Sequence, residues 1–340
     1  MTGSHVCLVK LSALGDVIHA LPVARALRRA RPGVHVTWVA ESREAALLRD
    51  HPDVDEVLAV DTRRWRLARR PGSAASALRE CRAVLRALRQ GRFDAALDVQ
   101  GLMKSALFVR ATRAPLRVGF AAPREPLSAL ATTTRVAPPA AARHVVEQNL
   151  ALLGPLGVAA PAVEFHVPAR PAAAHRVEVF LRERGLAGPG GAPGAGLVAI
   201  NPGAGRPEKR WPAERFRALA QRLAEAPGVH VVALWGPGEE DLARSLVTER
   251  PGAVLAPPTD LDELTELLRR CRLVVAGDTG PLHLAGAVGA TCLGLFGPTR
   301  GERNGPYGAQ HRVIQSPDAT MAGIADDAVL HAARELLCRT

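Results

Sequence analysis

At 340 residues the chain exceeds one ordinary domain and suits two of roughly 150 to 170 residues, each large enough to bury a core. An apolar fraction of 47% excludes a disordered chain, while the lack of an 18-residue apolar run or a basic, apolar, cleavable leader leads us to expect a cytoplasmic protein. The formal charge of +11 points to anionic partners and is unevenly placed, because residues 61–124 hold 15 Arg or Lys against 4 Asp or Glu and so supply the whole excess.

Nucleic acid, an anionic membrane and an acidic substrate all fit such a field. So does an arginine-rich coding bias, since only Lys10, Lys104 and Lys209 are lysines. Cys7, Cys81, Cys271, Cys292 and Cys338 are odd in number and scattered, which predicts small core residues rather than a disulfide framework or a zinc site.

In chain order, strand-like runs at 6–10, 34–39, 57–60 and 95–99 alternate with Ala/Leu/Arg-rich segments of helical spacing, the rhythm of βαβ units. Within 17–30, Val17, Leu21, Ala24 and Leu27 share one face, and Pro22 fits only near a first turn. Leu78, Leu85 and Leu88 do the same within 76–90. After a helical stretch at 143–153, the Pro-, Ala- and Gly-rich sequence from Leu153 to Ala174, and again at 188–196, marks the expected domain boundary. Strands at 197–201, 229–235, 254–257, 273–277 and 291–297 then alternate with helices at 213–226, 239–249, 260–270 and 281–288. These strands are continuously apolar, as buried parallel strands are. Residues 325–338 read as a closing amphipathic helix. The pattern predicts two doubly wound α/β domains with a cleft between them.

In such sheets ligands sit at the carboxyl ends of strands, where helix N-termini offer free N–H groups. Three loops occupy those positions. KLSALGDVIHALP (10–22) places Gly15 and Asp16 at the first strand exit. Asp16 reads two ways, as a base for a sugar hydroxyl or as a helix cap. NPGAGRPEKRWP (201–212) frees the backbone at Gly203 and Gly205 and adds Lys209 and Arg210, a setting for a departing diphosphate or simply a solvated basic loop. Trp211 before Pro212 fits a hydrophobic staple. GDTGPLHLAGAVG (277–289) offers backbone N–H groups at Thr279 and Gly280. One helix N-terminus contributes roughly 0.3 to 1 kcal/mol toward a phosphate, so Lys209 is expected to assist. Asp278 either caps that helix or binds sugar hydroxyls, and His283 either faces the cleft or is a buried structural residue.

A phosphate-binding G-x-x-x-x-G-K-[ST] motif is absent, as is a strand-linked G-x-G-x-x-G with an acidic partner, which counts against a P-loop nucleotidase and a dinucleotide dehydrogenase. Asp53 and Asp55 lie in a turn before a strand, not at the strand end where a diphosphate-bound metal would need them. No metal and no cofactor are therefore expected.

In this order, KLSALGDVIHALP, DVQGLMKSAL, EKRWP, GDTGPLHLAGA and FGPT resemble the bacterial lipopolysaccharide heptosyltransferase family over nearly the whole chain. Segments 62–66, 99–106 and 124–130 look like the member that adds the first heptose to Kdo-lipid A. The resemblance implies a GT-B fold, an ADP-heptose donor on the C-terminal domain, an acceptor on the N-terminal domain, and inversion without a metal. It implies Asp16 as general base, Lys209 as the phosphate-binding lysine, and Asp278, Thr279, Gly280 and His283 as a donor-binding D-T-G-x-x-H. Glu240 matches a carboxylate for the donor ribose. Arg63, Arg64 and Arg124 match cations for the acceptor's acidic groups, and Ser12, Gly15, Arg66, Gln100 and Lys104 complete the expected acceptor side. Where the first-heptose enzyme has a Thr pair, this chain has Ala204 and Gly205, so phosphate contacts beside Gly203 fall to backbone N–H groups.

The expected domains are 1–165 for the acceptor, 166–322 for the donor, and a helix at 323–340 that returns to the N-terminal domain. Closure would bring Asp16 against a heptose held by Lys209. The basic belt then suits an anionic acceptor at the inner face of the cytoplasmic membrane, with peripheral, salt-sensitive association of a monomer. A relative with another donor sugar or a later acceptor remains the nearer alternative. A nucleic-acid binder is the remoter one, disfavoured by 4% aromatic residues and a single tyrosine, Tyr307.

Overall fold

Continuously apolar segments become parallel strands in both halves of the chain. The computed structural model describes residues 4–62, 64, 73–159, 162–186, 196–247 and 253–338. Contacts divide it into two units, Met1–Pro168 and Ala169–Thr340.

In the first unit, β1 (His5–Val9), β2 (His35–Glu41), β3 (Glu56–Val60), β4 (Ala95–Asp98), β5 (Leu116–Phe120) and β6 (Thr134–Val136) form one parallel sheet in the order β3-β2-β1-β4-β5-β6. The connecting helices include α1 (Leu14–Ile18), α2 (Leu21–Ala30), α3 (Ser73–Gln90), α4 (Met103–Ala111) and α5 (Val145–Ala151). Trp38 is fully buried under the exit of β1, and its indole N–H donates to the Lys10 carbonyl at 3.1 Å.

The single helix expected over 17–30 is two. Pro22 has no N–H to continue the ladder, so α1 stops at Ile18 and α2 restarts with Pro22 in its first turn. Strands β5 and β6 and helix α4 were not anticipated from the sequence; LRVGF and the edge strand TRV carry arginines and are only partly buried.

The second unit repeats the plan. After α6 (Pro171–Glu183), strands β7 (Leu197–Asn201), β8 (His230–Ala233), β9 (Ala253–Leu255), β10 (Leu273–Gly277), β11 (Thr291–Phe296) and β12 (Arg312–Gln315) pair in the order β12-β11-β10-β7-β8-β9. Counted from β7, this is the strand order of the first unit. Helices α7 (Ala213–Ala224), α8 (Glu240–Arg244), α9 (Leu261–Arg269), α10 (Gly280–Ala287) and α11 (Gly301–Asn304) connect them.

The closing helix α12 (Asp326–Cys338) corrects one expectation. It packs on α7 and β10 of its own unit, and Val329, Leu330, Ala332, Ala333 and Leu336 belong to the second core. Those side chains are apolar at helical spacing, and their own sheet supplies the matching face.

Cys7, Cys271 and Cys292 are buried as expected, and burial pushes the Cys271 thiol up to about 12. Cys81 is only partly buried and Cys338 is exposed.

One packing contact fixes the loop after β7. Trp211, just before the α7 cap, lies edge-on to Phe216 one turn inside the helix, with ring centroids 4.9 Å apart, and its indole N–H donates to the Ile324 carbonyl at 3.2 Å. This is a hydrophobic staple set into the core. Trp211→Ala should cost about 3–5 kcal/mol of stability, read from the urea midpoint of the second unit. A loss under about 1 kcal/mol would show that the ring anchors nothing.

Candidate active site

In each unit the functional side chains gather where the strand order reverses, because the chains leaving those two neighbouring strands diverge and open a crevice. In the first unit the reversal lies between β1 and β4. Lys10 is buried at the exit of β1, its ammonium donating to the Val99 carbonyl at 3.1 Å. Asp16 is the third residue of α1. One carboxylate oxygen accepts the Ala13 N–H at 3.2 Å, the other lies 3.5 Å from Lys10 Nζ, and the side chain remains 46% exposed. The two readings of Asp16 are compatible: it caps the helix start and still presents a carboxylate to the crevice mouth. Gly15 sits beside it, partly buried.

Gln100 closes this rim from the β4 side. Its Oε1 accepts the Leu11 N–H and its Nε2 donates to the Ser12 carbonyl, both at 2.8 Å. Lys104, in the first turn of α4, donates to Ser12 Oγ at 3.1 Å and lies 3.6 Å from Glu41. Beneath them, burial pushes the Asp98 carboxyl up, an effect partly offset by the N–H groups of Gly101 at 2.8 Å and Gln100 at 3.1 Å.

Gly101 adopts φ +68°, and a Cβ there would come within 3.2 Å of Pro123 Cβ and 3.4 Å of the Arg124 nitrogen. This close approach seats Arg124 beside Gln100, with its side chain exposed and unpaired among the described residues. Arg64, expected on the acceptor side, is engaged by α3, at 3.1 Å from Glu80 and 3.0 Å from Ser76 Oγ. Arg63 and Arg66 lie outside the described residues.

In the second unit the reversal lies between β7 and β10. Asn201, buried at the end of β7, donates through Nδ2 to the Gly203 carbonyl at 3.1 Å and to Thr279 Oγ1 at 3.3 Å, tying the two loops together. Lys209 Nζ donates to Asp278 Oδ2 at 2.6 Å, and His283 Nε2 meets Asp278 Oδ1 at 3.0 Å. Burial by itself would push the Asp278 carboxyl up. Hydrogen bonds and charge from His283 and Lys209 outweigh it and hold the group well below the usual carboxylate range.

That network shows what the Asp278 carboxylate does in the folded chain. Asp278 makes no side-chain cap on α10, whose capping residue is Thr279; it orients Lys209. His283 is buried, with its Nε2 on Asp278. Gly280 opens α10 and leaves the helix-start N–H groups available.

Around the β7 loop, Arg210 donates to the Ala204 carbonyl at 3.0 and 2.8 Å and lies 3.2 Å from Glu239. A Cβ on Gly203 would fall 2.0 Å from the Glu239 carboxylate, so a larger residue would displace that side chain, whereas Gly205 faces open space. The carboxylate brought to this loop is therefore that of Glu239. Glu240, chosen from the sequence, is paired with Arg244 one turn along α8.

Lys10, Asp98, Asn201 and Glu239 escaped sequence reasoning. Only Gly203, whose Cα faces the Glu239 carboxylate, could have hinted at a close neighbour there. Among the described residues, one group has metal-ligand composition, His5, His35 and Glu56, with ligand atoms all within 4.8 Å. It sits at the amino ends of β1, β2 and β3, opposite Asp16.

Two doubly wound sheets of one strand order, each with its polar cluster at the reversal point, define a GT-B fold. The family model described as glycosyltransferase family 9 (heptosyltransferase) matches residues 81–327. Lipopolysaccharide heptosyltransferase 1 of Escherichia coli strain K12 is 30% identical over 329 residues, covering 96% of this chain and 98% of that one. The enzyme of the same description from Pseudomonas aeruginosa is 34% identical over 309 residues, covering 89% and 81%. A solved structure described as E. coli heptosyltransferase WaaC with ADP-2-deoxy-2-fluoro heptose matches with TM-score 0.78 and 29% identity, covering 97% of this chain and 99% of that one. The chain belongs to glycosyltransferase family 9, the heptosyltransferases, and is a glycosyl-transferring enzyme.

Because the Asp278 carboxyl titrates lower in the folded than in the unfolded chain, its contribution is complete above the ordinary carboxylate pKa and is lost as pH falls through the folded value. The stability gap between wild type and Asp278→Asn should thus be wider at pH 7 than at about pH 3 by urea unfolding. A gap independent of pH would mean that the Lys209 and His283 contacts do not form in solution.

Proposed function

We propose that the protein transfers a heptose from ADP-heptose to the Kdo of Kdo-lipid A during lipopolysaccharide core synthesis, with inversion and without a metal, at the cytoplasmic face of the inner membrane. The observation that carries this reading is the part-exposed Asp16 carboxylate at the carboxyl end of β1, anchored by Lys10 and the Ala13 N–H, in a chain of this family. The relatives named lipopolysaccharide heptosyltransferase 1 and the match to an enzyme solved with an ADP-heptose analogue support the sugar and its carrier.

In this reading Asp16 removes the proton from the acceptor hydroxyl. That oxygen bonds to the anomeric carbon as the carbon's bond to the diphosphate oxygen breaks, and ADP leaves with both bonding electrons. Lys209 offsets the charge growing on ADP. Its ammonium has three donors, so it can keep Asp278 while giving another to a phosphate oxygen. The N–H groups at Thr279 and Gly280 and around Ala204 supply the remainder. On the acceptor side, Gln100 and Lys104 shape the Ser12 rim and Arg124 offers a free guanidinium to the anionic sugar.

No described helix is long and apolar enough to cross a membrane, so access to a lipid acceptor is by the surface.

Purified protein given ADP-heptose and Kdo-lipid A in the presence of EDTA should release ADP and add one heptose to the lipid by mass. ADP should compete with the donor better than UDP. Transfer only to an already heptosylated acceptor would move the protein to a later core step. Asp16→Ala should lower turnover by roughly 10² to 10⁴-fold while donor affinity changes little. An unaltered rate would remove Asp16 from the mechanism.

A further inference from the structure

One flank of the first unit carries a surface that the sugar chemistry leaves unused. Helix α4 runs from the Lys104 rim toward the amino ends of the strands, a span of about 13 Å at 1.5 Å per residue. Its outward positions are Met103, Leu107 and Arg110, about one turn apart, and Met103 and Leu107 are each 48% exposed. The short 3-10 turn Pro126–Ala131 packs against α4 and buries Ser128 and Ala129, yet leaves Leu127 65% and Leu130 73% exposed. Single exposed leucines need no explanation, but four large apolar side chains on two touching elements do.

At the far end of α4 an open pocket of about 420 Å³ is lined by Arg89, Arg110, Arg113, Arg117, Leu85 and Leu107, and no carboxylate lines it. Arg117 donates to the Ala131 carbonyl at 2.7 Å and the Ala114 carbonyl at 2.6 Å, which joins the pocket to the leucine turn. Arg89, Arg110 and Arg113 make no ion pair or side-chain hydrogen bond among the described residues. Four like charges around one space repel unless an anion enters it.

We propose that this face of α4 and its turn docks on an anionic lipid bilayer, with a phospholipid headgroup phosphate in the arginine pocket and Leu127 and Leu130 among the upper acyl carbons. Guanidinium groups match phosphate bidentately, and the leucines beside them select a lipid over a free anion, which would leave them in water. This rests on the reading that the acceptor is a membrane lipid: a bilayer along α4 brings lipid headgroups to Met103, one residue from Lys104 at the rim. The association then has an apolar part that charge alone does not supply, and salt does not screen it.

The full chain is sedimented with sucrose-loaded vesicles of phosphatidylcholine, alone or mixed with phosphatidylglycerol. The mixed vesicles should bind it, and about 1 M salt should not release it fully. Arg89→Glu with Arg113→Glu should weaken binding at least about 25-fold, from about fivefold per arginine near an anionic surface. Leu127→Ser with Leu130→Ser should bind at low salt and wash off at high salt. Both pairs should keep the wild-type melting temperature and the transfer rate on a water-soluble, deacylated acceptor, and Asp16→Ala should bind vesicles normally.

Equal binding to neutral vesicles overturns the proposal. So does displacement by inorganic phosphate with the leucine pair unaffected, which would make the pocket a free-anion site. Dimerisation abolished by the leucine pair would instead assign the face to a second copy of the chain. If vesicle binding follows this pattern but no acceptor is glycosylated, the sugar-transfer reading falls and the docking surface stands.

Discussion

A parallel sheet that reverses its winding cannot cover both sides of the reversal with the same helix. Between β1 and β4, and again between β7 and β10, the departing chains turn away from each other and leave strand ends open. The two polar clusters of the candidate site follow from those openings. Asp16, Gln100 and Lys104 sit at the first; Asn201, Lys209 and Asp278 sit at the second. Neither set is local in sequence, yet each is held by strands whose partners are fixed in register.

The two openings are held by different electrostatics. In the first, a buried ammonium and a part-exposed carboxylate are paired at 3.5 Å, so the Asp16 carboxylate keeps access to solvent while its stem is restrained. In the second, the carboxylate is the buried partner and the ammonium is placed by it, at 2.6 Å. Removing either buried member would free the partner it restrains, which makes Lys10 and Asp278 positioning groups for Asp16 and Lys209. The staple of Trp211 on Phe216 gives the same restraint to the loop from below.

What could be read from the sequence divides along physical lines. The core strands, from VCLVK to TCLGLF, were legible because burial on both faces makes them predominantly apolar. Asp16, Lys209 and the DTG turn were legible because glycine, an acid or a lysine, and proline at a strand-to-helix junction follow local rules. Lys10, Asn201 and Asp98 were not, since nothing near them announces that a strand far along the chain will lie alongside. Glu239 and Glu240 are adjacent and alike; the first caps α8 and faces Gly203 while the second opens the helix and pairs with Arg244, a difference that only coordinates contain. The segment from Pro126 to Leu130 looks like ordinary core sequence, but as a 3-10 turn it buries its small residues and turns its leucines out.

The closing helix has a consequence for how the molecule is made. Val329 through Leu336 complete the second core, so that half cannot finish folding until those residues have cleared the ribosome, whereas the first half has all its strands by residue 136. Synthesis therefore yields a first unit that matures early and a second unit that matures last. A nascent chain cut short before that helix would display the first without assembling the second, so the Lys209–Asp278 cluster is the last part of the molecule to be put in place.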